Sequence, residues 1–224
     1  MTAFKKLSIA LPAGLLAALE LFHASGHQDA VYKVLSQHLD RWLLVHYLQL
    51  ILFPWTAFSI YQLSRFVDEY GNSESPVPQN LFDRISPNIV GIAMAIYGIG
   101  YAAYDSIAGI GSGVLVKNSM EMLSVPGAPA DFEQISDLIV QSYYDSPLVE
   151  TIGVVAVAGA IVGFVITAWK IYCRLAEESR MLPVLMLAGA CFGVTRSHAP
   201  PWGPITYGFV FVAAVVVLFF SRPK

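Results

Sequence analysis

The sequence has few cysteines and few charged residues, and these shortages exclude several classes of protein. Cys173 and Cys191 are its two cysteines, which are too few for a disulfide scaffold, and their spacing fits no metal-binding motif. Charged residues make up 13% of the 224 residues, and no basic block of the kind that contacts phosphates is present. We therefore expect no nucleic-acid partner and interpret both cysteines as thiols packed in the core.

Hydrophobic residues, at 56%, exceed the content of a soluble domain and predict a membrane protein. A spanning helix needs about 20 apolar residues. Five segments approach or exceed this length, namely residues 7–24, 42–63, 89–116, 148–173 and 205–220, and residues 181–195 form a shorter sixth segment. We count the sixth because without it the last helix would point the wrong way for its charges. The expected fold is all-α: one domain, residues 1–224, forming a bundle of about six transmembrane helices in the cell membrane.

Lysine and arginine accumulate in the cytoplasmic loops of membrane proteins, so their distribution predicts the orientation of these segments. With six spans and the N-terminus inside, nine basic residues fall on the inner side and four on the outer side. The inner set is Lys5, Lys6, Arg65, Arg84, Lys170, Arg174, Arg180, Arg222 and Lys224, and the outer set is Lys33, Arg41, Lys117 and Arg196. The sequence therefore predicts that both termini are cytoplasmic. Lys5 and Lys6 before an apolar segment are also typical of a signal peptide, but no convincing cleavage site follows, and we interpret the segment as a retained span.

Ionisable residues in three of the predicted spans fall at one depth. With a rise of about 1.5 Å per residue, His23 on the first segment, His46 on the second and Asp105 on the third each lie about 24 Å from the inner surface. Glu20 lies about one turn below His23. Ionisable groups within spans are costly and usually face the bundle interior or a wet cavity. The sequence therefore predicts a shared polar site in the outer leaflet.

Two short patterns at the end of the first span indicate a metal site. Glu20 and His23 form a Glu-x-x-His pair, and His23 and His27 form a His-x-x-x-His pair, so a continuing helix would present all three on one face. His198, which follows the segment at residues 181–195, reaches the same end as His46. Imidazole and carboxylate groups suit zinc, iron or copper(II). We predict that His23, His27, His46 and His198 are ligands of such a metal, with haem a less favoured cofactor; each histidine taken singly is also explained as a packing residue.

The third span combines Asp105 with a run of glycines in the stretch YGIGYAAYDSIAGIGSGV. A carboxylate in apolar sequence needs a partner, and we predict that Asp105 and Glu20 are catalytic acid or base groups. Tyr101, four residues before Asp105, and Arg196 are predicted to bind substrate, and Arg196 is alternatively expected to pair with Asp105 or Glu20. The glycines of this stretch, namely Gly98, Gly100, Gly109, Gly111 and Gly113, are interpreted as helix-packing positions, and those of residues 109–113 alternatively as a place where the helix loosens beside Asp105.

Residues 28–41 connect the first two segments and carry apolar positions at helical spacing. These positions are Val31, Val34 and Leu35, followed by His38. The spacing predicts a short amphipathic helix that lies on the membrane surface and covers the site.

The sequence resembles a group of small bacterial polytopic membrane proteins. It has their H-x-x-G-H pattern at residues 23–27, D-x-I-A-G-I-x-x-G-V-L-V at residues 105–116 and an H-x-P-x-G-P-like turn at residues 198–204. The resemblance covers most of the chain and implies a common site, but it brings no activity with it. A looser likeness is to intramembrane zinc hydrolases of the alkaline ceramidase and adiponectin-receptor type, which combine histidines with an aspartate at one membrane face. This chain differs in its six predicted spans and in its paired histidines on the first span, so the catalytic residues of those hydrolases are not transferred to it.

Two classes of function agree with these features. The first is a metal-dependent membrane enzyme that acts on a lipid, isoprenoid or quinone-like substrate at the outer leaflet. The second is a non-enzymatic carrier, or an accessory subunit with a membrane-protein partner, in which the same residues bind a metal, a haem or protons. Turnover of a lipid panel distinguishes the enzyme from the carrier, and visible absorbance distinguishes haem from a colourless metal.

Overall fold

The computed structural model is a bundle of helices, and it describes residues 2–24, 31–71, 81–127, 129 and 131–221. The α-helices are α1 (Ala3–Glu20), α2 (Val31–Gln37), α3 (Leu39–Gly71), α4 (Leu81–Tyr104), α5 (Ser112–Leu123), α6 (Phe132–Tyr144), α7 (Pro147–Arg174), α8 (Glu177–Val194) and α9 (Trp202–Val215). A π-helical segment, Asp105–Gly111, joins α4 to α5, and a second, Val216–Phe220, extends α9. The described residues contain no strand, which confirms the all-α prediction.

Four helical stretches in the described part of the chain are long and apolar enough to cross a membrane. They are Leu39–Tyr70, Leu81–Leu123, Phe132–Arg174 and Trp202–Phe220. Helices α1 and α8 are not among the four, although each has 18 residues and is therefore about 27 Å long. Both pack along the bundle, α1 against α3 and α9, and α8 against α7 and α9. The length and composition of the four stretches are those of a membrane protein.

Contacts between helix ends give the bundle two distinct ends. Lys6, near the start of α1, lies 5.3 Å from the ring centre of Phe219 after α9. Arg174, at the end of α7, donates to Asp83 near the start of α4 at 2.9 Å. We call this end the basic end. At the opposite end, which we call the histidine end, α1, α4 and α8 finish and α3, α7 and α9 begin, so these six helices alternate in direction along the bundle.

An aromatic layer lies in the core between the two ends. Phe53 of α3 is fully buried, and its ring centre lies 6.1 Å from that of Tyr97, 4.5 Å from that of Tyr101 and 5.8 Å from that of Tyr207. Tyr97 is therefore a packing residue of this layer. The expectation that both cysteines are packed in the core is wrong for Cys173, which is exposed because it lies on the outer face of α7.

Two glycines let α4 approach its neighbours closely. A Cβ atom at Gly98 would lie 3.0 Å from the Cβ of Ala57 on α3, and one at Gly100 would lie 2.8 Å from the Cβ of Ala156 on α7. Both distances are shorter than ordinary van der Waals contact. The packing interpretation is therefore confirmed for these two glycines of the third predicted span.

Helix α2 confirms the predicted helix between the first two segments, but not its placement. Val31, Tyr32 and Leu35 are buried against α5 and α6, and the backbone N–H of Tyr32 donates to the Asp137 carboxylate at 3.0 Å. Protein covers the apolar face of this helix, and its placement on the membrane surface stays a prediction. The same apolar cluster includes Trp42, so α2, α5 and α6 cap the histidine end.

Candidate metal centre

The first helix ends before its histidine. Helix α1 finishes at Glu20, and His23 lies in the turn that follows, where its backbone N–H donates to the Glu20 carbonyl oxygen at 3.2 Å. The expectation that Glu20 and His23 share a helix face is therefore wrong, because the chain leaves the helix between them. His27, the other residue expected on that face, lies outside the described residues.

Three histidines from separate parts of the chain meet inside the histidine end. They are His23 after α1, His46 on α3 and His198 in the turn between α8 and α9, and their potential ligand atoms all lie within 4.8 Å of one another. The ring centre of His23 is 5.0 Å from that of His46 and 5.0 Å from that of His198. His23 is 5% exposed and His46 is 2% exposed. The prediction that histidines of distant segments share one buried site is confirmed.

Hydrogen bonds to backbone carbonyl groups fix the tautomers of two of these rings. The Nδ1 atom of His23 lies 2.9 Å from the Ala24 carbonyl oxygen, and that of His46 lies 2.8 Å from the Trp42 carbonyl oxygen. A carbonyl oxygen can only accept, so each Nδ1 carries the proton and donates it. The lone pair of each neutral ring is then on Nε2, the arrangement by which proteins orient metal-binding imidazoles.

The spacing of the three histidines fits a small transition-metal ion. Zinc–nitrogen bonds of about 2.0–2.1 Å in a tetrahedral site place two ligand nitrogens about 3.3 Å apart. The observed limit of 4.8 Å is longer than that value, so the three histidines would move closer together on binding an ion. Two imidazoles that hold a haem stand on opposite faces of the macrocycle, whereas the His23 ring lies edge-on against both of the other rings. The donor set therefore fits a single ion better than a haem.

Trp42 and Gly109 hold His46 in place. The Trp42 ring centre lies 4.2 Å from that of His46 and 5.1 Å from that of His23, and its indole N–H donates to the Gly109 carbonyl oxygen at 2.7 Å. A Cβ atom at Gly109 would overlap the His46 ring. Gly109 belongs to the π-helical segment that starts at Asp105. The sequence left two interpretations of these glycines open, and this segment combines both, since the helix is widened beside Asp105 and packed tightly at Gly109.

Two buried carboxyl groups accompany the histidines. Glu20 and Asp105 are both 0% exposed and close enough to interact electrostatically. One Glu20 oxygen accepts from the Gln49 side chain at 2.7 Å, whereas the other Glu20 oxygen and both Asp105 oxygens have no hydrogen-bond partner among the described residues. Asp105 precedes Gly109, whose backbone approaches the His46 ring, by about one π-helical turn. Buried polar atoms are normally satisfied, so these oxygens indicate a ligand, a proton or water at the site.

The two predicted substrate-binding residues line a pocket beside the cluster. The pocket has a volume of about 470 Å³, and its walls include Tyr101, Tyr104, Arg196 and His198. The ring centre of His198 lies 6.2 Å from that of Tyr101 and 5.7 Å from that of Tyr104. The Arg196 guanidinium lies 4.8 Å from the ring centre of Phe192 at the surface. The expected ion pair of Arg196 with Asp105 is therefore wrong, because Asp105 is buried and its oxygens accept from no donor among the described residues.

Sequence reasoning missed three residues of the site, namely Trp42, Gln49 and Tyr104. Trp42, His46 and Gln49 follow the i, i+4, i+7 spacing of one helix face. This spacing could have identified Trp42 and Gln49 as neighbours of His46. Tyr104 precedes Asp105 directly, but its ring contact with His198 depends on a distant turn that no local pattern places.

Comparisons of the chain with protein-family models, with curated proteins and with solved structures found no match in any of the three. The conclusions below therefore depend on the geometry of this chain alone.

Proposed function

We propose that this protein is a metal-dependent enzyme of the cell membrane that acts on a lipid, isoprenoid or quinone-like substrate. The observation that carries the proposal is the buried cluster of His23, His46 and His198, whose ligand atoms lie within 4.8 Å of one another. Catalytic zinc sites keep three protein ligands and leave a position for water or substrate. Zinc fits this donor set best, and iron and copper(II) share the same ligand preference.

The neighbouring groups support hydrolytic chemistry. A bound zinc ion supplies a water molecule that is activated near neutral pH. In this proposal Asp105, a fully buried carboxyl group whose oxygens have no hydrogen-bond partner among the described residues, accepts or returns a proton. Gln49 donates to Glu20 at 2.7 Å and so orients the second carboxyl group. In the rival function, a carrier or accessory subunit, the same ligands hold the metal for transfer, and no substrate is turned over.

We propose that the chain crosses the membrane six times, with both termini cytoplasmic and the histidine end in the outer leaflet. Four crossings are the long apolar stretches. A fifth is α1, which runs along α9, because Lys6 near its start contacts Phe219 and Glu20 at its end lies beside Gly203. Helix α8 follows the basic end and finishes at the histidine end, which supports a crossing of its own. The nine-to-four division of basic residues supports this orientation.

Metal analysis of purified variants tests the proposed ligands. We expect wild-type protein, stripped with chelator and reloaded with zinc, to retain one ion per chain after desalting. His23→Ala, His46→Ala and His198→Ala should each weaken zinc binding by at least about 10- to 100-fold, since even the loss of an outer partner has that effect. His38→Ala is the matched control, because His38 is exposed, and it should bind zinc as the wild type does.

Retention of zinc by all three variants at the wild-type level would exclude the cluster as the metal site. Size-exclusion profiles and circular dichroism of each variant separate ligand loss from unfolding. Wild-type protein that binds zinc but turns over no member of a lipid, isoprenoid and quinone panel would support the carrier.

Reporter fusions test the orientation. Fusions after Lys224 should show cytoplasmic activity, and fusions within residues 118–146 should show extracytoplasmic activity, because the basic residues are concentrated at the opposite end of the bundle. A fusion after Lys224 with extracytoplasmic activity would reverse the proposed orientation and place the site in the inner leaflet.

Replacement of Asp105 should separate stability from function. Asp105→Leu removes a buried carboxyl group without a hydrogen-bond partner and adds apolar contact, so we expect the metal-free protein to melt at the same or a higher temperature. Turnover should fall by about 100-fold or more, since proton transfer by a positioned group contributes about 10²–10⁴-fold. A thermal unfolding assay and a turnover assay check the two effects, and a clear loss of stability would show that Asp105 is a structural residue.

A further inference from the structure

The pocket of about 470 Å³ beside His198 differs in character between its two sides. One side is polar and carries Asp145, Glu150 and Arg196, all of them exposed. The other side is aliphatic and includes Val154 and Val194. Val154 is 62% exposed and lies on α7, within one of the four stretches that can cross a membrane. The aliphatic residues of the pocket therefore suit an acyl chain, and its exposed charged residues suit a polar headgroup.

The pocket also reaches the metal centre. His198 forms part of its wall and is one of the three clustered histidines. Tyr101 and Tyr104, which line the pocket, contact the His198 ring edge-on. A molecule in the pocket therefore lies next to the proposed metal without having to cross the packed interior of the bundle.

The charges on the polar side are of both signs. Arg196 offers planar donors that suit a phosphate group, and Asp145 and Glu150 offer acceptors that suit an ammonium group. A headgroup that carries only a phosphate would be repelled by the carboxylates of Asp145 and Glu150. A headgroup that carries only a cation would be repelled by the Arg196 guanidinium. A zwitterionic headgroup satisfies both sets.

We propose that this pocket binds a zwitterionic phospholipid bearing a phosphate and an amine, with its headgroup between Arg196 and the two carboxylates and an acyl chain along the valines. The assignment of this lipid as the substrate rests on the proposed metal-dependent function. Binding of the lipid rests on the pocket alone, so lipid binding and metal binding are tested separately.

Lipid binding by native mass spectrometry tests the pocket. Full-length protein in detergent is titrated with phosphatidylethanolamine, with phosphatidylglycerol, which has the phosphate but no amine, and with glycerophosphoethanolamine, which has the headgroup but no acyl chains. We expect phosphatidylethanolamine to bind about two- to fivefold more tightly than phosphatidylglycerol, the effect expected of solvent-accessible ion pairs. Glycerophosphoethanolamine should bind much more weakly than either, since it buries no acyl chain.

Three variants assign the binding to this pocket. Asp145→Asn combined with Glu150→Gln should abolish the preference for phosphatidylethanolamine while retaining phosphatidylglycerol, and Arg196→Gln should weaken both lipids. Gly153→Leu should weaken both lipids by filling the pocket, because Gly153 lines it and a Cβ atom there already lies 3.2 Å from the Tyr104 ring. Glu69→Gln, at the basic end, is the matched control and should leave lipid binding unchanged.

The outcomes separate the two proposals. Equal binding of the two diacyl lipids by the wild type, or an undiminished preference in the double variant, would overturn the zwitterionic pocket even if zinc binds normally. Tight binding of glycerophosphoethanolamine would overturn the assignment of the aliphatic wall to an acyl chain. If the protein prefers phosphatidylethanolamine, needs Asp145 and Glu150 for this preference and binds no zinc, the lipid pocket is supported. The proposal of a metal-dependent enzyme is then excluded.

Discussion

Gly109→Ala is expected to lower zinc affinity by at least about tenfold, as large an effect as the loss of an outer-shell partner of a ligand. The added Cβ atom would overlap the His46 ring, and that ring also packs against Trp42 at 4.2 Å between ring centres. The overlap involves a ring rather than the flexible end of a side chain, so either His46 leaves the cluster or the π-helical segment shifts. Overpacking of this kind also costs about 1–3 kcal/mol of stability.

Gly208→Ala is the matched control for this variant. Gly208 lies within α9, and a Cβ atom there would meet no atom within 4 Å. Alanine is favoured over glycine in a helix by about 1 kcal/mol, so Gly208→Ala should be neutral or stabilising and should retain zinc. Isothermal titration with zinc and thermal unfolding measure both effects. Wild-type zinc affinity in Gly109→Ala would show that the close approach of Gly109 to His46 does not position the ligand.

Asp68→Asn should be the most destabilising single substitution at the basic end. Lys170 is 2% exposed, and its ammonium group lies 2.7 Å from Asp68 and donates to the Ser64 hydroxyl at 3.1 Å. Arg174 lies 3.5 Å from the same carboxylate. Removal of one partner of a buried ion pair leaves an uncompensated buried charge, which costs about 3–5 kcal/mol. We therefore expect a large loss of thermal stability with zinc binding unaffected in the protein that remains folded.

Two further variants make this prediction specific. Glu69→Gln breaks the Arg65–Glu69 ion pair, which is 3.7 Å long and has side chains that are 46% and 71% exposed. It should lower the free energy of unfolding by no more than about 0.5 kcal/mol. Asp68→Asn combined with Lys170→Met removes both charges and should recover much of the lost stability, because no buried charge is then unpaired. If the double variant is as unstable as Asp68→Asn alone, the loss comes from packing and not from the unpaired charge.

The helical parts of the fold follow closely from the sequence. The predicted span at residues 148–173 is observed as Pro147–Arg174, and the span at residues 205–220 is covered by Trp202–Val215 and the π-helical extension to Phe220. Apolar runs of this length determine helices because each backbone polar group is satisfied within the segment. The end of α1 could not be predicted as well. Its last residue is Glu20, whereas the apolar pattern continues to residue 24.

The meeting of His23, His46 and His198 was predictable from the sequence, but its geometry was not. The sequence placed His23, His46 and Asp105 at one depth, because rise per residue converts position along a span into distance across the membrane. It did not show that His23 reaches the cluster from a turn, or that Arg196 lies over Phe192 instead of pairing with Asp105. Such facts depend on the directions in which side chains point at helix ends, where local periodicity no longer applies.

Composition and periodicity act locally along the chain, and they are sufficient to identify an all-helical membrane protein with costly ionisable residues near one end of its predicted spans. Which of those residues meet depends on the tertiary structure. The three histidines come from the turn after α1, from α3 and from the turn before α9, and helix packing brings their ligand atoms within 4.8 Å of one another although His198 lies more than a hundred residues after His23 and His46. The close approach of Gly109 to His46, the Trp42 hydrogen bond and the pocket beside His198 arise from the same packing, which depends on the shapes of several helices at once and is not encoded in any one of them.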